Sequence, residues 1–306
     1  MNALPEFLIT GVDMKTLRRD FLKKSAALGA GLSVLSKTTS VQASDSKKGS
    51  MNETLKTIHS LRTIHGNFTA QIIPDEQIDQ IVHAGLRAAN SSAMQTYSII
   101  VIKDRHKMRQ VSQYQGSCML VFCVDYNRLH DMADHLGHAY ESDNTVSFVT
   151  ASMNTMLAAQ TAVIAAKSMG IDSLLTNGVH RGDMNRHWEL LDLPNKYCLP
   201  LIALVLGYPD AEPTYQKGRL DGPGVVHQET YHRLTEEELD AVVARYDDKK
   251  EHLGLIDNWE KEGHTHYLDW LYKSWLGGGG EVKPTMKETQ MFKILKRIGF
   301  VDLQKS

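Results

Sequence analysis

Cysteine is scarce in this sequence: Cys118, Cys123 and Cys198 are three in 306 residues, too few for a disulfide framework. None has the C-x-x-C spacing of a zinc or iron–sulfur site. Charge of one sign is lacking too. The formal net charge is -2, so no net field draws nucleic acid to the chain. There is no H-E-x-x-H metal motif and no G-x-S-x-G nucleophile elbow. A dinucleotide fingerprint is also missing: Gly29-Ala30-Gly31 sits in a leader-like stretch, and the four glycines at 277–280 follow no strand pattern. No internal repeat is visible. The 14 histidines invite a metal reading, since His130, Asp134 and His138 at i, i+4 and i+8 would share a helical face, with His135 beside them. Histidines on a helix surface are more often solvated than ligating and no cysteine joins these, so no metal site is predicted. What remains is ordinary globular composition, 42% hydrophobic and 23% charged.

The N-terminus reads as an address. Arg18 and Arg19 precede Asp20-Phe21-Leu22-Lys23-Lys24, and a weakly apolar Ala/Gly run follows over residues 25–36. That run is too short to span a bilayer easily. Val41-Gln42-Ala43 then offers small residues where a signal peptidase reads. The order resembles a twin-arginine export signal, with Met14 as an alternative start. It implies a signal over residues 1–43, engagement of the twin-arginine machinery, and a periplasmic or other extracytoplasmic location. No stable membrane insertion is expected. A Ser/Lys/Gly-rich linker over 44–54 leads into the folded part. The resembled pathway carries proteins already folded, which suits a tightly held cofactor.

Beyond the linker the pattern is mixed. Pro74-Asp75-Glu76 opens a helix whose Ile78, Ile81, Val82 and Leu86 fall on one face. Residues 98–103, SIIVIK, read as a strand, as does the run CMLVFCV from Cys118, where the cysteines behave as small buried hydrophobes. Residues 148–169 read as a long helix, closed by Gly170 and lined by alanines almost all round, so central and closely packed. Residues 199–206, LPLIALVL, read as a buried strand. Thr235 and Glu238 form a capping-box pattern. Helices and strands alternate without strict βαβ repetition, so the fold class is α+β. A C-terminal extension over 226–276 carries Trp259, Trp270 and Trp275. The glycine linker and a basic amphipathic helix near 286–300 fill 277–306. This tail is expected to pack over the core or across a dimer.

Four separated segments carry the polar chemistry. The first is Leu61-Arg62-Thr63-Ile64-His65-Gly66-Asn67-Phe68. The second is Ala88-Ala89-Asn90-Ser91-Ser92-Ala93-Met94-Gln95-Thr96-Tyr97. The third is Leu174-Leu175-Thr176-Asn177-Gly178, and the fourth is Gly207-Tyr208-Pro209 followed by Lys217-Gly218-Arg219. Taken together and in this order, they resemble the nitroreductase family of FMN enzymes. Arg62 and Phe68 match the ends of the family's R-x-S-x-R/K-x-F. The second segment aligns with A-P-S-x-x-N-x-Q-P-W, the third with a glycine-containing turn against the flavin, and the fourth with G-Y-P and its basic pair. The likeness covers roughly residues 55–220, within an FMN domain expected over 55–225.

The resemblance implies a central, mostly antiparallel sheet flanked by helices, in a homodimer with FMN at the subunit interface. Arg62, Lys217 and Arg219 would hold the phosphate dianion. Thr63, Asn90, Ser91, Ser92, Gln95, Thr176, Asn177 and Gly178 would meet the polar parts of the cofactor. The family serine falls on Ile64 unless Thr63 takes its role through a small shift. The second basic residue falls on Gly66, with His65 beside it. His65 is therefore the candidate for tuning the flavin or donating a proton. Ala93, Thr96 and Tyr97 also depart from the pattern, which bears on substrate and flavin potential. Hydride would pass to and from flavin N5 in two half-reactions, from NAD(P)H to a small acceptor such as a nitroaromatic, quinone or activated alkene. Two alternatives stay open: an FMN-dependent dehydrogenase or dehalogenase on the same fold, and a non-catalytic flavin carrier.

Overall fold

The structure is a computed structural model that describes residues 51–277 and 286–301. The export signal read over residues 1–43 lies outside the described residues, as do the glycines at 278–280.

Asn52 caps helix α1 (Glu53–His59) by accepting from the Leu55 amide at 2.9 Å. Helix α2 (Asp75–Leu86) starts where the sequence predicts, with Asp75 and Glu76 at the positive end of its dipole. It buries Ile78, Ile81 and Gly85. Helical spacing also puts Leu86 on that face, but Leu86 is 36% exposed. The reason is a close crossing at Gly85, where an added Cβ would stand 3.2 Å from the Ala158 carbonyl oxygen. Strand β1 (Tyr97–Ile102), helix α3 (Arg105–Ser112) and strand β2 (Cys118–Asp125) follow. Helix α4 (Asn127–Leu136) ends on Gly137, so His138 lies outside the helix and shares no helical face with His130 and Asp134. His130 instead meets the Ser142 hydroxyl at 2.7 Å and stacks on Tyr197. Helix α5 (Thr145–Ser168) begins three residues before the predicted start, because Asn144 caps it by accepting from Ser147. Strand β3 (Asp172–Thr176), the short helix α6 (Arg186–Leu190) and strand β4 (Cys198–Gly207) complete the core. Helices α7 (Glu236–Asp247), α8 (Tyr267–Trp270) and α9 (Met286–Arg297) form the tail.

The four strands make one sheet in the order β1-β2-β4-β3, and each neighbour is antiparallel. The α+β architecture is therefore as predicted. Strand β3 is an addition: its five residues pair with β4 from Asp172 opposite Gly207 to Thr176 opposite Ala203. Strand β2 shows the period of two that puts alternate side chains on opposite faces. Met119, Val121 and Cys123 join the cluster with Met108 and Val111 of α3. Cys118, Leu120 and Phe122 join the opposite cluster with Ile78, Ile81, Ala158 and Ala162. Burial pushes the Cys118 thiol up to about 12, so it is a packing group and not a nucleophile. Helix α5 is long and apolar enough to cross a membrane by length and composition alone. Here one side of it packs into the core, with buried Asn154 and Thr155 both hydrogen-bonded.

In the tail, Trp259, Tyr267 and Trp270 form their own aromatic cluster. Ile294, Ile298 and Phe300 dock against Val124, Tyr126 and Leu199 of the core. The capping box predicted at Thr235 is present: its hydroxyl accepts from the Glu238 amide at 3.3 Å, and the Glu238 carboxylate accepts from the Thr235 amide at 2.9 Å. Thr235→Ala is expected to lower stability by about 1 kcal/mol, read as a shifted urea midpoint with an unchanged slope.

Candidate active site

The first segment runs extended beside β3, with the Ile64 amide donating to the Ser173 carbonyl at 3.0 Å. Alternation then decides which side chains face out. Ile64 is 5% exposed and belongs to the core. Thr63 and His65 point the other way and line a cleft. The one hydroxyl of this segment, that of Thr63, and its one imidazole, that of His65, are thus both at the cleft, while Ile64 is not. Gly66 sits at φ +82, where a side chain would be strained. Phe68 then bridges to Pro209, and an added Cβ at Gly207 would lie 2.7 Å from the Phe68 ring. The first and fourth segments are thus knitted together.

The cleft between them has a volume of about 490 Å³. Arg62, Thr63, His65, Tyr215, Lys217 and Arg219 line it, with Leu253, Gly254 and Leu255 from the tail. Two adjoining hollows of about 290 and 330 Å³ share Arg219 and add Gln160 of α5 and Ser173 and Leu175 of β3. A larger groove of about 690 Å³ lies between α3 and α6, but charges of both signs line it and none of the predicted residues does.

Electrostatics separates the three cations. The Arg62 guanidinium donates to both oxygens of Asp172, at 3.0 and 2.5 Å, and to Glu212 at 2.5 Å. The Asp172 and Glu212 hydrogen bonds raise the guanidinium further above its ordinary value. Lys167 also donates to Asp172, at 2.8 Å. Burial alone would raise the Asp172 carboxyl, but the Arg62 and Lys167 hydrogen bonds and charges outweigh it and hold the group below the usual carboxylate range. Lys217 and Arg219 are different. Lys217 donates to the Gly254 carbonyl, and Arg219 to the carbonyls of Lys217 and Gly218. Among the described residues neither pairs with a carboxylate. Two uncompensated cations, a third from Arg62 and the Thr63 hydroxyl form a donor set that fits a phosphate dianion.

The tail closes over this pair. The Gly218 amide donates to the His252 carbonyl at 3.2 Å, and an added Cβ would collide with the Glu251 carbonyl oxygen. Gly218→Ala is expected to lower stability by about 1–3 kcal/mol through that overlap, checked by urea unfolding. Little in the sequence marked Leu253, Gly254, Leu255, Tyr215 or Gln160 as lining residues.

Comparison with known proteins places this geometry. The nitroreductase family model matches residues 58–208. The FMN reductase (NADPH) of Bacillus subtilis is 35% identical over 197 residues, which cover 61% of this chain and 78% of that protein. The chain belongs to the nitroreductase family. The NADPH-flavin oxidoreductase of Vibrio harveyi is 33% identical over 62% of this chain and 79% of its own length. Among solved structures, the Vibrio harveyi NADPH:FMN oxidoreductase complexed with NAD+ superposes with a TM-score of 0.64 at 26% identity, covering 81% of this chain and 99% of that one. NfrA2 of B. megaterium gives 0.67 at 27% identity, covering 82% and 98%.

In this nitroreductase-family chain the second segment lies apart from the cleft. Asn90 accepts from the Gln95 amide at 3.1 Å, and Ser91 donates its amide to Asn154 at 3.0 Å. Asn154 also donates to the Thr96 hydroxyl at 2.8 Å, and Arg128 reaches the carbonyls of Met94 and Gln95. Ser92, Ala93 and Gln95 all have left-handed backbones, at φ 51, 55 and 46. These hydrogen bonds hold the left-handed stretch in place. The third segment divides. Leu175 lines a hollow together with Ser173 just before the segment, whereas the Thr176 hydroxyl accepts from the Gly178 amide at 3.0 Å. Gly178 is packed on Ser112, whose carbonyl oxygen would lie 2.5 Å from an added Cβ. Asn177 is exposed beside it.

Proposed function

We propose that this chain holds FMN in the cleft between residues 61–65 and 217–219 and passes electrons from NAD(P)H to a small oxidised acceptor, a nitroaromatic, quinone or activated alkene. It is an FMN-dependent oxidoreductase of the nitroreductase family, and relatives named FMN reductase and NADPH-flavin oxidoreductase support that reading. The observation that carries it is the pair Lys217 and Arg219, both without a carboxylate among the described residues and both facing Arg62 and Thr63. Bound FMN would supply the two-electron carrier between donor and acceptor. The protein's part is to grip and orient. Lys217, Arg219 and Arg62 hold the phosphate, Thr63 adds a hydroxyl, and His65 at the cleft offers a proton or hydrogen bond near the reduced ring.

The second segment completes the site in a homodimer. The outer side of α5 carries Val146, Val149, Met153 and Leu157, from 47% to 75% exposed and one or two turns apart. Such a stripe suits pairing with a second copy. It flanks Asn154, which anchors the Ser91 loop, so pairing on α5 would carry Asn90, Ser91, Ser92 and Gln95 towards the partner's cleft. The order of features over residues 14–43 supports loading with FMN before export by the twin-arginine route. Nicotinamide donors are scarce outside the cytoplasm, so NAD(P)H would serve the protein while it is cytoplasmic and another reductant would have to serve it after export.

The test is direct. The purified protein is expected to show a flavin absorption spectrum, with FMN identified by mass in the released chromophore. NADPH or dithionite should bleach it, and a quinone or nitroarene should restore it rapidly. A colourless protein that takes up no added FMN would overturn the reading.

A further inference from the structure

We propose that Glu212 is an internal anion that competes with the flavin phosphate for Arg62 and thereby sets how tightly the cleft holds its cofactor. The inference rests on the reading that the FMN phosphate enters this cleft. A guanidinium has five N–H groups in a fixed fork. Asp172 takes Nε and one proton of Nη2, and it cannot leave: it is 4% exposed and also bound by Lys167. The outward edge of Arg62, made of Nη1 and the second Nη2 proton, is all that remains for a ligand. Glu212 occupies Nη1 on that edge at 2.5 Å.

Glu212 differs from Asp172 in every respect that makes a carboxylate permanent. Its side chain is 73% exposed, and among the described residues no second hydrogen bond holds it. Pro213 follows it, which keeps its backbone extended, so release needs only a side-chain rotation into solvent. Pro213 and Thr214 line the cleft next to it. An exposed carboxylate gains little from one guanidinium contact, whereas a phosphate dianion would meet Arg62, Lys217 and Arg219 together. The carboxylate therefore yields, and its displacement subtracts from the affinity. Glu212 is a positioning and affinity-setting residue, not a catalytic one.

Titration of flavin fluorescence at low ionic strength tests this, with wild type, Glu212→Gln and Glu212→Lys compared. Glu212→Gln is expected to tighten FMN by roughly twofold to fivefold, the range of one exposed ion pair, and Glu212→Lys by more. Riboflavin, which has no phosphate, should bind all three alike. Inorganic phosphate, whose affinity for each protein follows from its displacement of FMN and that protein's own FMN affinity, should bind Glu212→Gln more tightly than wild type by a similar factor. Equal or weaker FMN binding by Glu212→Gln would overturn the proposal and make Glu212 a brace for Arg62. If wild type takes no FMN, the reading of the cleft fails, and this inference with it.

Discussion

Replacing Lys217 and Arg219 together with alanine is expected to weaken FMN binding at least about 100-fold while leaving riboflavin binding unchanged. Both side chains face the cleft, and among the described residues they meet backbone carbonyls and, for Lys217, the Tyr215 ring, but no carboxylate. A hydrogen bond to a charged group contributes about 1.5–3 kcal/mol, so two lost together remove about 3–6 kcal/mol if they act independently. Each 1.4 kcal/mol is about tenfold in affinity. Arg62 cannot make up for them, because Asp172 permanently holds two of its N–H groups and its outward edge already serves the phosphate in wild type. The folded protein should barely notice the change, since both residues are exposed. Isothermal titration of the apoprotein with FMN and with riboflavin measures the effect. If FMN affinity falls less than threefold, the phosphate does not sit at this pair. If riboflavin affinity falls equally, the pair holds the loop and not the anion.

Elements that announce themselves by continuous apolar runs were legible in the sequence. Strands β2 and β4 and helix α5 are each dictated by their own residues, and so is the capping box at Thr235. Strand β3 was not, because DSLLT is short and its Asp172 and Ser173 are buried polar residues whose reasons lie elsewhere in the chain. Asp172 meets Arg62 across 110 residues, and no local pattern carries that pairing. Of the four segments expected together, the first and fourth line one cleft and the second lies apart from it. Their register was not readable, since only the burial of Ile64 decides that Thr63 and His65 face the cleft. The contribution of Leu253, Gly254 and Leu255 was hidden for the same reason: the tail's approach leaves only a faint trace, the glycine at 218 that the Glu251 carbonyl requires.

Asp172→Ala is expected to be the most destabilising single change near the cleft, lowering stability by about 3–5 kcal/mol. The carboxylate is 4% exposed, and its partners Arg62 and Lys167 are 22% and 18% exposed. Removing it leaves Lys167 without a carboxylate among the described residues, and Arg62 with only the exposed Glu212, in a partly dry pocket. Its pH signature follows from the sign of its shift. The folded carboxyl titrates below its ordinary value, so its contribution is fully present above that value, about 3.9, and is lost as the pH falls through the lower folded one. Wild type should therefore lose stability steeply below about pH 4, and Asp172→Asn should start lower but lose less over the same interval. Urea unfolding at pH 7 and at several values between 5 and 3 measures both effects. A variant within 1 kcal/mol of wild type at pH 7, with an unchanged acid limb, would mean that water already screens the two cations. Arg62 would then owe its place to the Ser173–Ile64 backbone pairing beside it, and the ion network would be a consequence of the cleft and not its frame.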